Sequence, residues 1–175
     1  MRFIYDNEVE AWAAEHGLRG TEERPLRTLL YHDDERRHRR MWYDPGTPET
    51  AEPIAAMIRG VGEWDEAVLW LTRWLAWPSS ENWPAYYAAR GARGELRSID
   101  DTPGHLFKAG EQAALVEFAT FALRNGWDAF VLTATGGRLN PVRLRISHDE
   151  FVELQSSDAA RVAAAVDRAG PVPGQ

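Results

Sequence analysis

Between Ala67 and Trp77 the chain is almost continuously apolar, interrupted by Thr72 and Arg73. A strand with one buried face alternates apolar and polar side chains, whereas a strand covered on both faces has few positions for polar residues. Val68 to Trp77 is therefore expected to be a central strand. It falls short of the roughly 18 apolar residues that a membrane helix needs. Its end runs into Trp74-Leu75-Ala76-Trp77-Pro78-Ser79-Ser80-Glu81-Asn82-Trp83, a segment that gathers three tryptophans around small polar and acidic residues. Holding such a segment in one shape costs ordering entropy, so it is either a structural corner or a site. Trp83, Tyr86, Tyr87 and Arg90 then recur at helical spacing. Ser80 or Asn82 is placed to cap that helix, and Pro84 fits its first turn.

Other segments read more simply. Met1 to Tyr5 is expected to be a strand. Asn7 is expected to cap a helix with Glu10 as its box partner, and Gly17 to end it. Leu26 to Tyr31 reads as a strand, and Met41-Trp42-Tyr43 as its return beyond the charge run 32–40. Thr47 to Gly62 reads as a helix with Pro53 in its first turn. Pro103-Gly104 turns into a short strand at His105–Phe107, Ala113 to Asn125 is an apolar helix, and Trp127 to Thr133 is a strand. Gly136-Gly137 marks a hairpin turn. Val142, Leu144 and Ile146 alternate with Arg143, Arg145 and Ser147, the pattern of a strand with one buried face. Ser157 opens a last helix, and 171–175 reads as a disordered tail. The expected fold is a single α+β domain over 1–170: a mixed β-sheet with helices packed on it, at least one parallel crossover and a C-terminal β-hairpin.

Composition narrows the function classes. The formal charge of −7 argues against sequence-independent nucleic-acid binding and suits a basic partner. There is no cysteine, so disulfides, zinc–thiolate centres and cysteine nucleophiles are excluded. The first residues turn acidic at once, without the apolar core of a signal peptide, which implies a cytoplasmic protein. Phosphate loops, G-x-S-x-G elbows and H-E-x-x-H pairs do not occur.

Two clusters have residue types suited to chemistry. If the strand 68–77, the helix 83–90 and the strand 105–107 form a crossover unit, Trp77, Ser80, Glu81, Asn82 and His105 converge beyond the strand ends, where ligands of such sheets bind. The plainer account makes Ser79, Ser80 and Asn82 helix caps and His105 a turn residue. The second cluster is Trp127 with His148, Asp149 and Glu150, or simply a polar strand end with an Asp turn. Placing His105 and His148 on opposite sheet edges separates them too far to share a metal, so no metal and no cofactor is expected.

The motifs Trp77-Pro78-Ser79-Ser80-Glu81-Asn82-Trp83, Pro103-Gly104-His105-Leu106-Phe107, Gly126-Trp127-Asp128 and Ser147-His148-Asp149-Glu150-Phe151 resemble an uncharacterised family of small bacterial proteins. The resemblance covers about residues 65–155. It implies no activity and carries over no catalytic residue. The resulting expectation is a non-enzymatic module, accessory or immunity-like, that sequesters a protein partner through aromatic anchors. The alternative is a small hydrolase or small-molecule sensor using Ser80, Glu81 and His105.

Overall fold

The computed structural model describes residues 1–31, 37–42 (backbone alone), 51–75 and 83–171. Its elements in order are β1 (Arg2–Ile4), α1 (Asp6–Glu15), α2 (Leu26–Tyr31), β2 (Arg37–Trp42), α3 (Ala51–Val61), β3 (Glu66–Arg73) and α4 (Trp83–Gly91). There follow β4 (Gly104–Lys108), α5 (Gln112–Arg124), β5 (Asp128–Thr135), β6 (Arg138–Leu139), β7 (Arg143–Ser147), β8 (Phe151–Ser156) and α6 (Ala159–Ala169). One sheet runs β1-β4-β3-β5-β7-β8-β2, with β6 paired to β5 off that path. The fold is α+β.

Every described strand pair is antiparallel. The expected parallel crossover is therefore corrected. β3 and β4 pair with Trp70 opposite Gly104 and Glu66 opposite Lys108. The chain leaves β3 at one end of the sheet, makes an excursion through α4 and the stretch 92–103, and re-enters β4 at that same end. Buried Arg90 of α4 holds this excursion. Its Nη2 donates to the carbonyls of Arg97 (3.0 Å) and Ser98 (3.2 Å) and to Thr102 Oγ1 (2.6 Å), and its Nη1 to the Thr102 carbonyl (3.2 Å).

Helices cover the two faces unequally. One face carries Ala67, Leu69, Leu71, Ala129, Val131, Leu144, Ile146, Val152 and Leu154, and it packs with Met57, Tyr86, Phe118 and Ala165 of α3, α4, α5 and α6. The other face carries Val68, Trp70, Phe130 and Leu132, and these pack with Val9 and Trp12 of α1 and Leu26 and Leu30 of α2. β3 is thus buried on both faces, as its composition required.

Several local expectations change. Leu26–Tyr31 is a helix, not a strand: Leu29 N donates to the Pro25 carbonyl (2.9 Å), and Leu26 and Leu30, four apart, face the sheet. The cap of α1 is Tyr5 rather than Asn7, and Glu8 rather than Glu10 reaches back, accepting from Tyr5 N at 2.9 Å. The last helix is capped by Asp158, whose carboxylate accepts from Ala160 N (2.8 Å). Phe151–Ser156 is a further strand, and β7 is buried on both faces rather than one. The caps Ser80 and Asn82, the helix start at 47–50, the charge run 32–36 and the tail 172–175 lie outside the described residues.

Candidate functional site

The antiparallel order brings both clusters to one end of the sheet. β1 and β3 finish there, β4 and β5 begin there, and the β7–β8 turn closes there. His105 and His148 therefore share an end instead of occupying opposite edges. They are kept apart by three strand spacings, roughly 14 Å, and by the sheet itself. Trp77, Ser80, Glu81 and Asn82 are outside the described residues, so the first cluster is represented by His105.

His105 lies in the helix-covered core. Its ring meets Phe3 and Phe118, each at 5.0 Å, and Nε2 is 3.1 Å from Tyr86 Oη. The Tyr86 oxygen also accepts from Arg90 Nη1 (2.8 Å), while His105 Nδ1 is buried without a partner. Burial, and then the Arg90 charge, push the His105 pKa down to about 3. The imidazole is neutral, enclosed and spent on holding Tyr86. Trp127 belongs to the same core, edge-on to Trp83 (5.4 Å) and Tyr86 (4.9 Å). It does not join His148 in a second cluster, contrary to the expectation from sequence: residue 127 faces α4, whereas Asp128 begins β5.

Asp128 is what organises His148. Its buried carboxylate accepts from the His148 backbone N–H (3.0 Å) and from ring Nδ1 (2.9 Å to each oxygen). Nε2 lies 3.5 Å from Asp149 Oδ1. The turn closes through Glu150 in the left-handed region (φ 62°), a conformation that costs a non-glycine residue about 1–2 kcal/mol. A buried carboxylate holding Nδ1–H fixes the orientation of the imidazole, as it does for an oriented base.

Beside it lies a polar layer on the face of α2. Tyr31 Oη is 2.6 Å from Thr72 Oγ1, which donates to the Asp128 carbonyl (3.2 Å). Burial above all pushes the Tyr31 pKa up to about 12. Arg145 Nη1 donates to Glu153 (3.1 Å), Gln155 Nε2 donates to the same carboxylate (2.6 Å), and Arg143 Nε donates to Gln155 Oε1 (2.9 Å). Glu153, Gln155 and Arg143 are all buried. Buried charge is costly unless paired, which makes such a layer a candidate site. Sequence reasoning does not single out Tyr31, Thr72, Asp128, Arg143, Arg145, Glu153 or Gln155 as site residues. The available signal is the alternation Phe151-Val152-Glu153-Leu154-Gln155, in register with Arg143–Ser147.

The same end also exposes apolar surface. Tyr5 (45% exposed), Leu75 (76%) and Leu96 (91%) are the large hydrophobic side chains that stand out among the described residues. Tyr5 follows β1, Leu75 follows β3, and Leu96 precedes β4. The Arg97 guanidinium lies 4.9 Å from the Tyr5 ring, and Trp74 Nε1 donates to Asp100 (3.0 Å), which ties these segments together. The opposite end of the sheet has an open groove of about 590 Å³, where Arg59 and Arg168 face Glu63, Trp64 and Asp65. No family model matches the chain, and no similar curated protein or solved structure was found.

Proposed function

We propose that the chain is a protein-binding module whose interface is the sheet end carrying Tyr5, Trp74, Leu75 and Leu96. The observation that supports this reading is the clustering of the exposed large apolar residues at that one end. Scattered exposed leucines are ordinary, whereas a grouped set beside a tryptophan is what interface anchors look like. Exposed Asp100 and Asp101 lie in the same segment as Leu96, and with the net charge of −7 they favour a basic partner captured by apolar anchors. This is the chemistry expected of an accessory or immunity-like protein that sequesters its partner.

The test is capture from the protein's own lysate with wild type, with Leu75→Asp/Leu96→Asp, and with Ala163→Asp on the exposed side of α6 as control. A partner held by wild type and control but lost by the patch variant supports the reading. A partner retained by all three, or none captured by wild type, overturns it.

One observation favours an enzymatic alternative, a small hydrolase. It is the Asp128–His148 pair, which has the geometry of an oriented base, whereas enclosed His105 does not. Turnover of a nitrophenyl ester panel that disappears in His148→Ala would support it, and equal rates in both proteins would refute it.

A further inference from the structure

In a chain of net charge −7, one part of the sheet has the opposite character. Two cross-strand rows span β7, β8 and β2. Arg143 is opposite Gln155, which is opposite His38; Arg145 is opposite Glu153, which is opposite Arg40. Among the described side chains of these rows, Arg143 and Arg145 share the face with Gln155 and Glu153.

Arg145 is where the arrangement is incomplete. Its guanidinium lies between two rings, 5.3 Å from Tyr31 and 5.4 Å from Phe151, so its planar faces are occupied and its hydrogen-bonding edges are left. One edge is used, through Nη1 on Glu153. On the other edge, Nε is shut away from solvent and donates to nothing. A buried donor without an acceptor costs about 1–3 kcal/mol, and such groups are rare enough to require an explanation. The Nε–Nη2 edge is the side of an arginine that grips a carboxylate or phosphate with two parallel hydrogen bonds. Tyr31, whose ring stacks on Arg145, lies on the same face of the sheet.

We propose that the side-on edge of Arg145 is the binding site of a small oxyanion, the carboxylate or phosphate group of a ligand that enters beside Tyr31. Glu153 holds the guanidinium from one side, the two rings fix its plane, and the ligand completes the remaining edge. Because Nε is enclosed, binding involves a small outward movement of the Arg145 side chain. The site is separate from the apolar patch, and occupying it does not require a protein partner.

The test is calorimetric titration of the intact chain with sodium succinate and, separately, with sodium phosphate, at ionic strength held constant with sodium chloride. The Nε–H resonance of Arg145 is followed in parallel by NMR. Expected is saturable binding of one or both anions, a shift of that resonance, and a loss of at least about tenfold in affinity in Arg145→Lys, which keeps the charge but not the fork. Arg59→Lys, in the groove at the far end, should bind as wild type does. Binding of succinate alone assigns a carboxylate ligand, and of phosphate alone a phosphorylated one. If neither anion moves the resonance in wild type, or if Arg145→Lys binds equally well, the proposal fails. Should the lysine variant not fold, the wild-type resonance titration decides alone.

Discussion

His105 and His148 lie at the same end of one sheet, and its two faces treat them in opposite ways. On the face covered by α3, α4, α5 and α6, His105 is enclosed by aromatic rings, linked to Tyr86, and kept neutral by burial and by Arg90. On the other face, beside Tyr31, the described residues include the buried ionisable groups Asp128, Arg143 and Glu153, with half-buried Arg145 among them. The first face stabilises the fold through packing. The second keeps charge at the cost of desolvation, and a fold needing only a core would have no use for it there. A histidine in this sequence therefore gains or loses chemical meaning according to the face it occupies.

Acid should break the first face. Unfolded His105 titrates near 6.5 and folded His105 near 3, so between those values the unfolded chain binds a proton that the native one refuses. Its contribution is absent above about pH 6.5. Stability then falls as pH drops, with a slope approaching about 1.4 kcal/mol per pH unit and a total of about 4 kcal/mol by pH 3. Glu66, Glu95 and Glu111, whose pKa values are lowered chiefly by hydrogen bonds from Lys108, Arg97 and the Met1 amine, lose stability in the same direction. Urea midpoints across this range, compared between wild type and His105→Gln, isolate the histidine. The glutamine variant should show the shallower acid limb, and parallel limbs would mean that His105 is protonated without unfolding.

On the second face, the charges should prove interdependent. Glu153→Leu strands Arg145 without its carboxylate and should cost about 3 kcal/mol or more. Arg145→Met/Glu153→Leu removes both charges and should recover at least half of that loss, because an ion pair taken out whole leaves no bare charge behind. A double-mutant cycle in denaturant reads the coupling. Additive losses would show that the pair contributes nothing as a pair.

The sequence disclosed the first face better than the second, and the reason is period. Ala67–Leu71, Tyr86 and Phe118 are large apolar residues at regular spacing, and such patterns point to a core whatever the topology. The direction of β4 was not legible: whether His105 runs parallel or antiparallel to Leu69 depends on the return stretch 92–103, and that return is held by hydrogen bonds from Arg90 to carbonyls that no spacing reveals. The layer Arg143–Arg145–Glu153–Gln155 was hidden by the same logic. Alternating charged residues on a strand look like the wet side of a half-buried sheet until a second strand and α2 close over them. Leu26–Tyr31 was ambiguous in itself, since six apolar-rich residues fit a strand as well as a helix. The Trp77–Asn82 motif, the richest part of the sequence reading, lies outside the described residues, so its part in a site rests on its neighbours Trp74, Leu75 and Trp83.

The smallest expected effect separates fold from function on the second face. Asp128→Asn preserves size and can still accept from the His148 backbone N–H through Oδ1. It then turns an amide N–H toward the ring nitrogen, so one of the contacts to Nδ1 becomes weaker or reverses its polarity. The loss of stability should be modest, about 1–2 kcal/mol, because one charge-assisted hydrogen bond is replaced and no cavity opens. The imidazole, however, is no longer held with its proton on Nδ1. Nitrogen-15 NMR of the His148 ring should therefore show a changed tautomer balance in the variant, while the His105 ring, across the sheet, is unchanged. A change at both histidines would mean that the two faces communicate through β5. A change at neither would mean that the backbone contact, not the carboxylate, sets the His148 ring.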